Sequence, residues 1–489
     1  MPDKIQTTGD HHAIATSPNT LLKNIVSISA SGVFERFLGM VAGVFARRAL
    51  GPDPIGMIGW AAAVASYPAL LVSSGIGLIA KRDVARQHDR ANHYVGLTLT
   101  LQLLLSTLAT GIIVAIVFLI DDTSLARWLV ALQIVGIILL PFDLKWLMQA
   151  RENMVPLAML TTVNAIIRTG LIVLLIRNPS DMFIYAAIAY PFQLMSTIFQ
   201  IIYVQKKGFI DWQQVRFTTD GAKSLILEAL PIGLSSVSTM LYYNSDVLIL
   251  GVTRTAGEVG LYATSYSLML IPGMLTGAMI NAYFPSLARS QSDPAAARQI
   301  SSQFLRGLIW LGFPIAALGW AVGRYPVTLL YGQEFVLSGI YFEWLSLNIA
   351  LIFFNVGYSQ PLNAWGQQRL LFFTTVVAGL TNVVANLLLL PRYGVPAAIA
   401  TTILAEVVVM IMVFVFRRRH YPIAWLRLTL PAMGTCILAA AVARWLAESG
   451  LWVLGGILGG VVITGGILRF EPAIANYIAH KYRSWRLKH

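Results

Sequence analysis

A single cysteine, Cys436, stands among the 489 residues, so neither an internal disulfide nor a cysteine metal cluster is open to this chain. It lies in an apolar run, where a packed core residue is expected. Charge is scarce as well. Only 12% of residues are Asp, Glu, Lys or Arg, about half the share usual in soluble domains. No Gly-x4-Gly-Lys-[Ser/Thr] phosphate loop is present, which excludes ATP hydrolysis by that route. A zinc-ligand spacing and a Gly-x-Ser-x-Gly elbow are missing too. Long polar segments between apolar runs are rare, whereas a membrane glycosyltransferase, polymerase or ligase would be expected to carry one outside. The first 20 residues lack a basic segment followed by a short apolar one, so no cleavable signal peptide is expected. No cofactor is called for, and the chain is expected not to be an enzyme.

What the sequence has is apolar length. Hydrophobic residues make up 57% of it and the mean hydropathy is +0.69, enough for about fourteen crossings at about 20 residues each. A soluble enzyme, a secreted scaffold and a disordered chain are excluded. The fold class is an all-α polytopic membrane protein, because lipid leaves backbone polar groups no partner outside a helix. Spanning runs fall at 22–47, 55–80, 91–120, 124–150, 154–176 and 181–204. After a polar stretch they resume at 222–250, 257–288, 300–322, 338–361, 369–390 and 394–416, with two more at 424–446 and 450–468.

The chain has 35 Lys and Arg against 22 Asp and Glu. These basic residues sit mostly in short loops, not on a soluble face, so they argue for membrane orientation and against nucleic acid. With fourteen crossings, 25 of them fall on one side and 8 on the other. That bias puts both termini in the cytoplasm.

The pattern also repeats. Lys23 through Leu50-Gly51 is mirrored 200 residues later by Lys223 through Leu250-Gly251. Thr161-Thr162-Val163 returns as Thr374-Thr375-Val376, and Ala186-Ala187-Ile188-Ala189 as Ala397-Ala398-Ile399-Ala400. A repeat six helices long keeps the same orientation, as in a two-lobed transporter whose site lies between its lobes. The expected division is a cytoplasmic tail 1–21, a first lobe 22–204, a cytoplasmic linker 205–221 and a second lobe 222–416. Two extra helices at 424–468 and a basic cytoplasmic tail at 469–489 follow.

Four charged residues lie near helix midpoints, where each costs about 2.5–3.5 kcal/mol to insert: Glu35, Arg36, Arg168 and Glu406. Arg36 shares a helical stripe with Ser29, Gly32, Gly39 and Gly43, and Arg168 one with Thr161 and Asn164. The repeat sets Ser236 opposite Arg36 and Thr381 opposite Arg168, so the arginines belong to the first lobe alone. They are scaffold arginines tied to a carbonyl or to Glu35, or they grip an anionic substrate. Glu406, like Glu35, is either an ion-coupling site or an arginine's partner. Lys145 snorkels to the interface or guards a cavity entrance. Glu228, Ser235, Thr239, Tyr242 and Asp246 share a face of the seventh helix, and Asp246 lies close enough to its outer end for hydration or capping to compete with ion or substrate contact. Asn348, Asn355, Asn382 and Asn386 suit interhelical hydrogen bonds or sugar hydroxyls. Pro68, Pro141, Pro191, Pro231, Pro272 and Pro314 interrupt helices and are candidate bends.

Three blocks carry a family likeness. They are Ala46-Arg47-Arg48-Ala49-Leu50-Gly51-Pro52 with Ile55-Gly56; Tyr242-Tyr243-Asn244-Ser245-Asp246 with Glu258-Val259-Gly260-Leu261-Tyr262-Ala263 and Phe284-Pro285-Ser286-Leu287-Ala288; and Leu362-Asn363-Ala364-Trp365-Gly366 with Asn382, Asn386 and Leu390-Pro391-Arg392-Tyr393-Gly394. In order and spacing the chain resembles the polysaccharide (O-antigen and exopolysaccharide) flippases of the multidrug, oligosaccharidyl-lipid and polysaccharide exporter superfamily. The resemblance implies a fourteen-helix protein of the bacterial inner membrane that moves a polyprenyl-pyrophosphate-linked oligosaccharide by alternating access. Its partners would be that lipid-linked substrate, membrane lipid and polysaccharide polymerase or export proteins. Cavity candidates are then Arg36, Arg168, Glu35, Asn164, Lys145, Tyr242 and Asn355, with Glu406, Glu35 and Asp246 for ion coupling. A drug antiporter of the same superfamily and a membrane polysaccharide polymerase are the alternatives.

Overall fold

A computed structural model describes residues 18–73, 75–120, 124–420 and 425–471, with side chains from 31 to 416 and from 425 to 471 within those ranges. The tails placed at 1–21 and 469–489 lie outside the described residues except where they border a helix.

Every apolar run is helical, and no strand occurs among the described residues. The first half holds α1 (Pro18–Leu50), α2 (Pro52–Ser73), α3 (Ile76–Arg86), α4 (Ala91–Leu119), α5 (Leu125–Leu139), α6 (Lys145–Ala150), α7 (Val155–Leu175), α8 (Met182–Ala187) and α9 (Ala189–Lys206). The second holds α10 (Ala222–Thr253), α11 (Ala256–Leu270), α12 (Gly273–Arg289), α13 (Pro294–Val322), α14 (Arg324–Tyr331), α15 (Val336–Ala364), α16 (Gln368–Tyr393) and α17 (Val395–His420). After these come α18 (Trp425–Glu448) and α19 (Trp452–Phe470). Thirteen helical stretches among the described residues are long and apolar enough to cross a membrane. The chain is a multi-pass α-helical membrane protein. α1 is 33 residues long but is not one of the thirteen, because Glu35, Arg36, Arg47 and Arg48 interrupt its described part.

Four of the apolar runs are broken within their length. Pro141 lies where α5 gives way to α6, Pro272 separates α11 from α12, and the α8–α9 break falls just before Pro191. The break after α2 has no proline. It falls beside Gly75, whose φ of 80° suits glycine. Pro68, Pro231 and Pro314 sit inside continuous helices, so these three do not interrupt a helix as the sequence suggested.

In the first half α1 packs on α7, while α2, α4 and α5 pack on one another. In the second, α16 lies between α10 and α17, and α15 contacts α11, α13 and α17. α18 and α19 pair with each other and lean on α13; Gly455, Gly459 and Gly466 are buried in α19. The halves meet where α2 runs against α10 and α11, where α3 meets α10, and where α1 touches α14. At the α2–α11 crossing a Cβ on Gly56 would overlap the Ala256 carbonyl, and one on Gly260 would overlap the Pro52 carbonyl. Only glycine lets the two backbones come this close.

The segment 205–221 is no loose tether. Asn92 Oδ1 accepts from the Asp211 amide at 2.9 Å and Thr100 Oγ1 from the Thr218 amide at 3.1 Å. A Cβ on Gly96 of α4 would overlap the Arg216 carbonyl, and Phe209, Ile210, Trp212 and Val215 join an apolar cluster with α3, α4 and α6 residues. The chain leaves this anchorage at Gly221, φ 82°, immediately before α10.

Candidate functional site

α1, α7 and α9 enclose a pocket of about 270 Å³ lined by Glu35, Thr161, Asn164, Arg168, Gln193 and Ser196, among others. The α7 stripe of Thr161, Asn164 and Arg168 is thus one wall, with helical spacing the reason all three face the same way. Asn164 is buried and donates to Ser196 Oγ at 2.8 Å. Arg168 is half-buried, and among the described residues its guanidinium has no hydrogen bond or ion pair, with Glu35 or with a carbonyl. Glu35 is equally without a partner there. A scaffold arginine held for stability would be satisfied by its neighbours. This one is not.

Arg36 is exposed on α1. Its direction follows from Arg47, eleven residues on and about 20° around the same helix. Arg47 Nε donates to Thr264 Oγ1 at 3.0 Å and Nη2 to Ser267 Oγ at 3.3 Å, both on α11, and the guanidinium lies over the Tyr331 ring. The face of α1 that carries Arg36 therefore looks toward the second half. Gly39 on that stripe has open space beside it.

The second half buries two carboxylates. Glu406 of α17 accepts from Tyr242 of α10 at 2.5 Å and from Asn355 of α15 at 2.6 Å, which brings three of the residues singled out from the sequence together. No arginine pairs with it among the described residues; phenol and amide do the work instead. Asp246, one turn beyond Tyr242, is 1% exposed. It accepts from Tyr262 and Asn386 at 2.5 Å each, and the Thr402 hydroxyl lies 3.0 Å away. Asn386 in turn donates to Asn382 Oδ1 at 2.9 Å. Capping or hydration of Asp246 is corrected: α10 runs on to Thr253 and its neighbours enclose the carboxylate. Thr402 and Glu406 are a turn apart on α17, so α10 and α17 are tied together through both acids.

Other expected residues lie elsewhere. Lys145 is exposed at the start of α6, its backbone N–H bonded to Asp143 Oδ1 at 2.9 Å, and it joins neither group. Glu228 does not share a site with Tyr242 and Asp246; it pairs with Arg82 of α3. Ser235 and Thr239 bond back to their own helix. Asn348 Nδ2 meets Met269 Sδ at 3.6 Å. Cys436 is buried, as expected of a core residue. The sequence analysis missed Gln193, Ser196, Tyr262, Thr402 and the cross-half contact of Arg47. Thr402 alone had a local signal, its one-turn spacing from Glu406.

Residues 21–291 match the family model for polysaccharide biosynthesis proteins. The putative O-antigen transporter of Escherichia coli (strain K12) is 19% identical over 332 residues, which span 66% of this chain and 76% of that one. A probable low-salt glycan biosynthesis flippase of Haloferax volcanii is 25% identical over 174 residues, 35% of this chain and 37% of that protein. In fold, the chain is similar to the lipid II flippase MurJ in an inward closed conformation, with TM-score 0.71 and 13% identity over 91% of this chain and 99% of that one. An inward-facing multidrug resistance transporter of the same exporter superfamily follows at TM-score 0.61 and 13% identity, over 79% and 94% of the two chains. The family match covers more than half of the sequence and includes both the Ala46–Pro52 and Tyr242–Asp246 motifs, so this chain belongs to the polysaccharide biosynthesis protein family.

Proposed function

We propose that the chain carries a polyprenyl-pyrophosphate-linked oligosaccharide from the cytoplasmic to the periplasmic leaflet of a bacterial inner membrane, for assembly of a surface polysaccharide. One observation carries the substrate assignment: Arg168 faces a pocket with its guanidinium unpartnered. An arginine kept this way inside a membrane costs about 2.5–3.5 kcal/mol, and the planar fork suits two oxygens of a pyrophosphate. Arg36 serves the same anion from the face turned toward the second half. The family match and the named activities of the O-antigen transporter and lipid II flippase relatives support the substrate class.

In this reading 22–204 and 222–416 are rocking lobes and α1 supplies a fourteenth crossing. Both termini are cytoplasmic, as the basic residues require. The α1–α2 and α10–α11 turns then lie on the periplasmic side, where Gly56 and Gly260 hold the lobes together. Transport alternates this contact with an opening around the fixed site. Asp246 and Glu406 couple an ion gradient to that motion through the α10–α17 junction. The chain itself performs no covalent chemistry; polymerase and export proteins take the product onward.

The test is export in cells. Arg168→Ala and Arg36→Ala should abolish surface polymer at unchanged protein abundance, while Arg→Lys at either position restores part of it, since lysine keeps charge and loses the fork. Normal export by both alanine variants would overturn the assignment.

A further inference from the structure

The outward face of α4 changes neighbours along its length. Gly96, Thr100, Leu104, Gly111, Val114 and Phe118 share that face at helical spacing. From Leu104 onward these residues are exposed, and α4 carries no Asp, Glu, Lys or Arg, so this part looks at lipid. Nearer the start of the helix the same face is closed. Val95, Gly96, Leu97, Thr98 and Leu99 are all buried, and five successive residues go more than once round a helix. The segment 205–221 supplies the cover. Its contacts follow α4 in order: the Asp211 amide on Asn92, the Arg216 carbonyl against Gly96, the Thr218 amide on Thr100. From Asn92 to Thr100 is about 12 Å along the helix axis. The segment therefore runs inward from the mouth of α4 over its lipid side before it reaches Gly221.

Two side chains on the deep part of this run are left to the surroundings. Arg216 is exposed, and among the described residues its guanidinium has no hydrogen bond or ion pair. Phe217 is 73% exposed. The acid that follows them, Asp220, lines the cleft toward α10 instead. A lone guanidinium next to an aromatic ring, one to two turns inside the end of a membrane helix, spans the boundary between headgroups and acyl chains. We infer that Arg216 and Phe217 dock an anionic phospholipid, the guanidinium on its phosphate and the ring beside its acyl chain. The planar fork matches two phosphate oxygens, and a headgroup without a compensating ammonium is drawn more strongly to an unpaired cation. The proposed orientation makes this a lipid of the cytoplasmic leaflet; the contact itself does not depend on that orientation. Because the chain leaves the first half just beyond, at Gly221, the lipid secures the anchored side of the connection between the halves.

Fluorescence quenching on the full chain in lipid nanodiscs tests this, with a bimane label on Phe217→Cys in the Cys436→Ala protein. In phosphatidylcholine with brominated acyl chains, this label should be quenched as strongly as one on Leu104→Cys, while one on Asp211→Cys should hardly respond. With bromine carried only by a minor fraction of phosphatidylglycerol, quenching at position 217 should exceed that expected of random mixing by about fivefold, the worth of one cation near an anionic surface. Arg216→Gln should remove that excess and Arg216→Lys should keep most of it, with quenching by brominated phosphatidylcholine unchanged in both. A label at 217 quenched no better than one at 211 would overturn the membrane contact. No excess with phosphatidylglycerol, or an excess that survives Arg216→Gln, would overturn the headgroup site.

Discussion

Arg82 Nη2 lies 2.8 Å from Glu228 Oε2, an ion pair that joins α3 of the first half to α10 of the second. It sits at the end of the molecule opposite the Gly56–Gly260 crossing. Arg82 also holds Asp83 at 2.7 Å, and Asp83 accepts from Tyr94 at 2.8 Å, so the arginine is positioned before it reaches across. Because 205–220 is anchored to α3, α4 and α6, the first place the chain is free to swivel between the halves is Gly221, within two turns of Glu228.

Opening at this end must break that pair. Arg82→Gln and Glu228→Gln should each raise the rate at which a cysteine at Ser224, in the adjoining cleft, reacts in inside-out vesicles, with Cys436 replaced by alanine. The effect should be modest and shrink with salt, since both side chains are well exposed. The exchanged pair, Arg82→Glu with Glu228→Arg, should return the rate toward that of wild type. No recovery in the double variant would mean the two residues do not act on each other.

Closure at the other end depends on backbone contact rather than charge. Gly56→Ala or Gly260→Ala puts a methyl where a carbonyl already sits, so the halves can no longer seat there. A cysteine at Gly39, where there is room for it, should then react faster with an impermeant reagent outside the cell, and polymer export should fall. Unchanged labelling in both variants would show that the α2–α11 contact does not seal the path.

The helices were legible because lipid allows an apolar run hardly any other structure, and the Arg168 stripe because helical spacing fixes which residues share a face. The break at Gly75 was not, since a glycine in an apolar run looks like any other small residue. Asp246 was misplaced for a related reason: a helix end shifted by a few residues separates a solvated carboxylate from an enclosed one. Asn355 and Glu406 stand 51 positions apart, and no local pattern announces their contact. The same holds for Arg47, which the sequence marks only as part of the Ala46–Pro52 block and whose partners Thr264 and Ser267 lie more than 200 positions away.

Asp246 and Glu406 should respond differently to loss of charge. Asp246 accepts from Tyr262, Asn386 and Thr402 at once, so Asp246→Asn keeps one oxygen for three donors and forces the two hydroxyls that shared Oδ2 to turn round and accept. The cost is about 1–3 kcal/mol, visible as a lower thermal midpoint in detergent. Glu406→Gln keeps an oxygen for Tyr242 or Asn355 and should lower it less. Equal midpoints for wild type and Asp246→Asn would contradict the hydrogen-bond arrangement.

Orientation is the remaining step between structure and direction of transport. On the proposed orientation, which follows the charge bias, 205–221 should lie in the cytoplasm and the turn after α14 outside. Asp211 and Gln333 are both exposed, so cysteine is tolerated at each without removing a packed side chain. In intact cells of the Cys436→Ala protein, cysteine at Gln333 should react with an impermeant thiol reagent and cysteine at Asp211 should not; permeabilisation should expose the second. The two positions are separated by three crossings, α10, α11–α12 and α13, only if the α11–α12 break at Pro272 lies within a single span. Labelling of both from outside would therefore mean that this broken helix turns back without crossing, and the second half would have to be redrawn with its buried carboxylates on the other side.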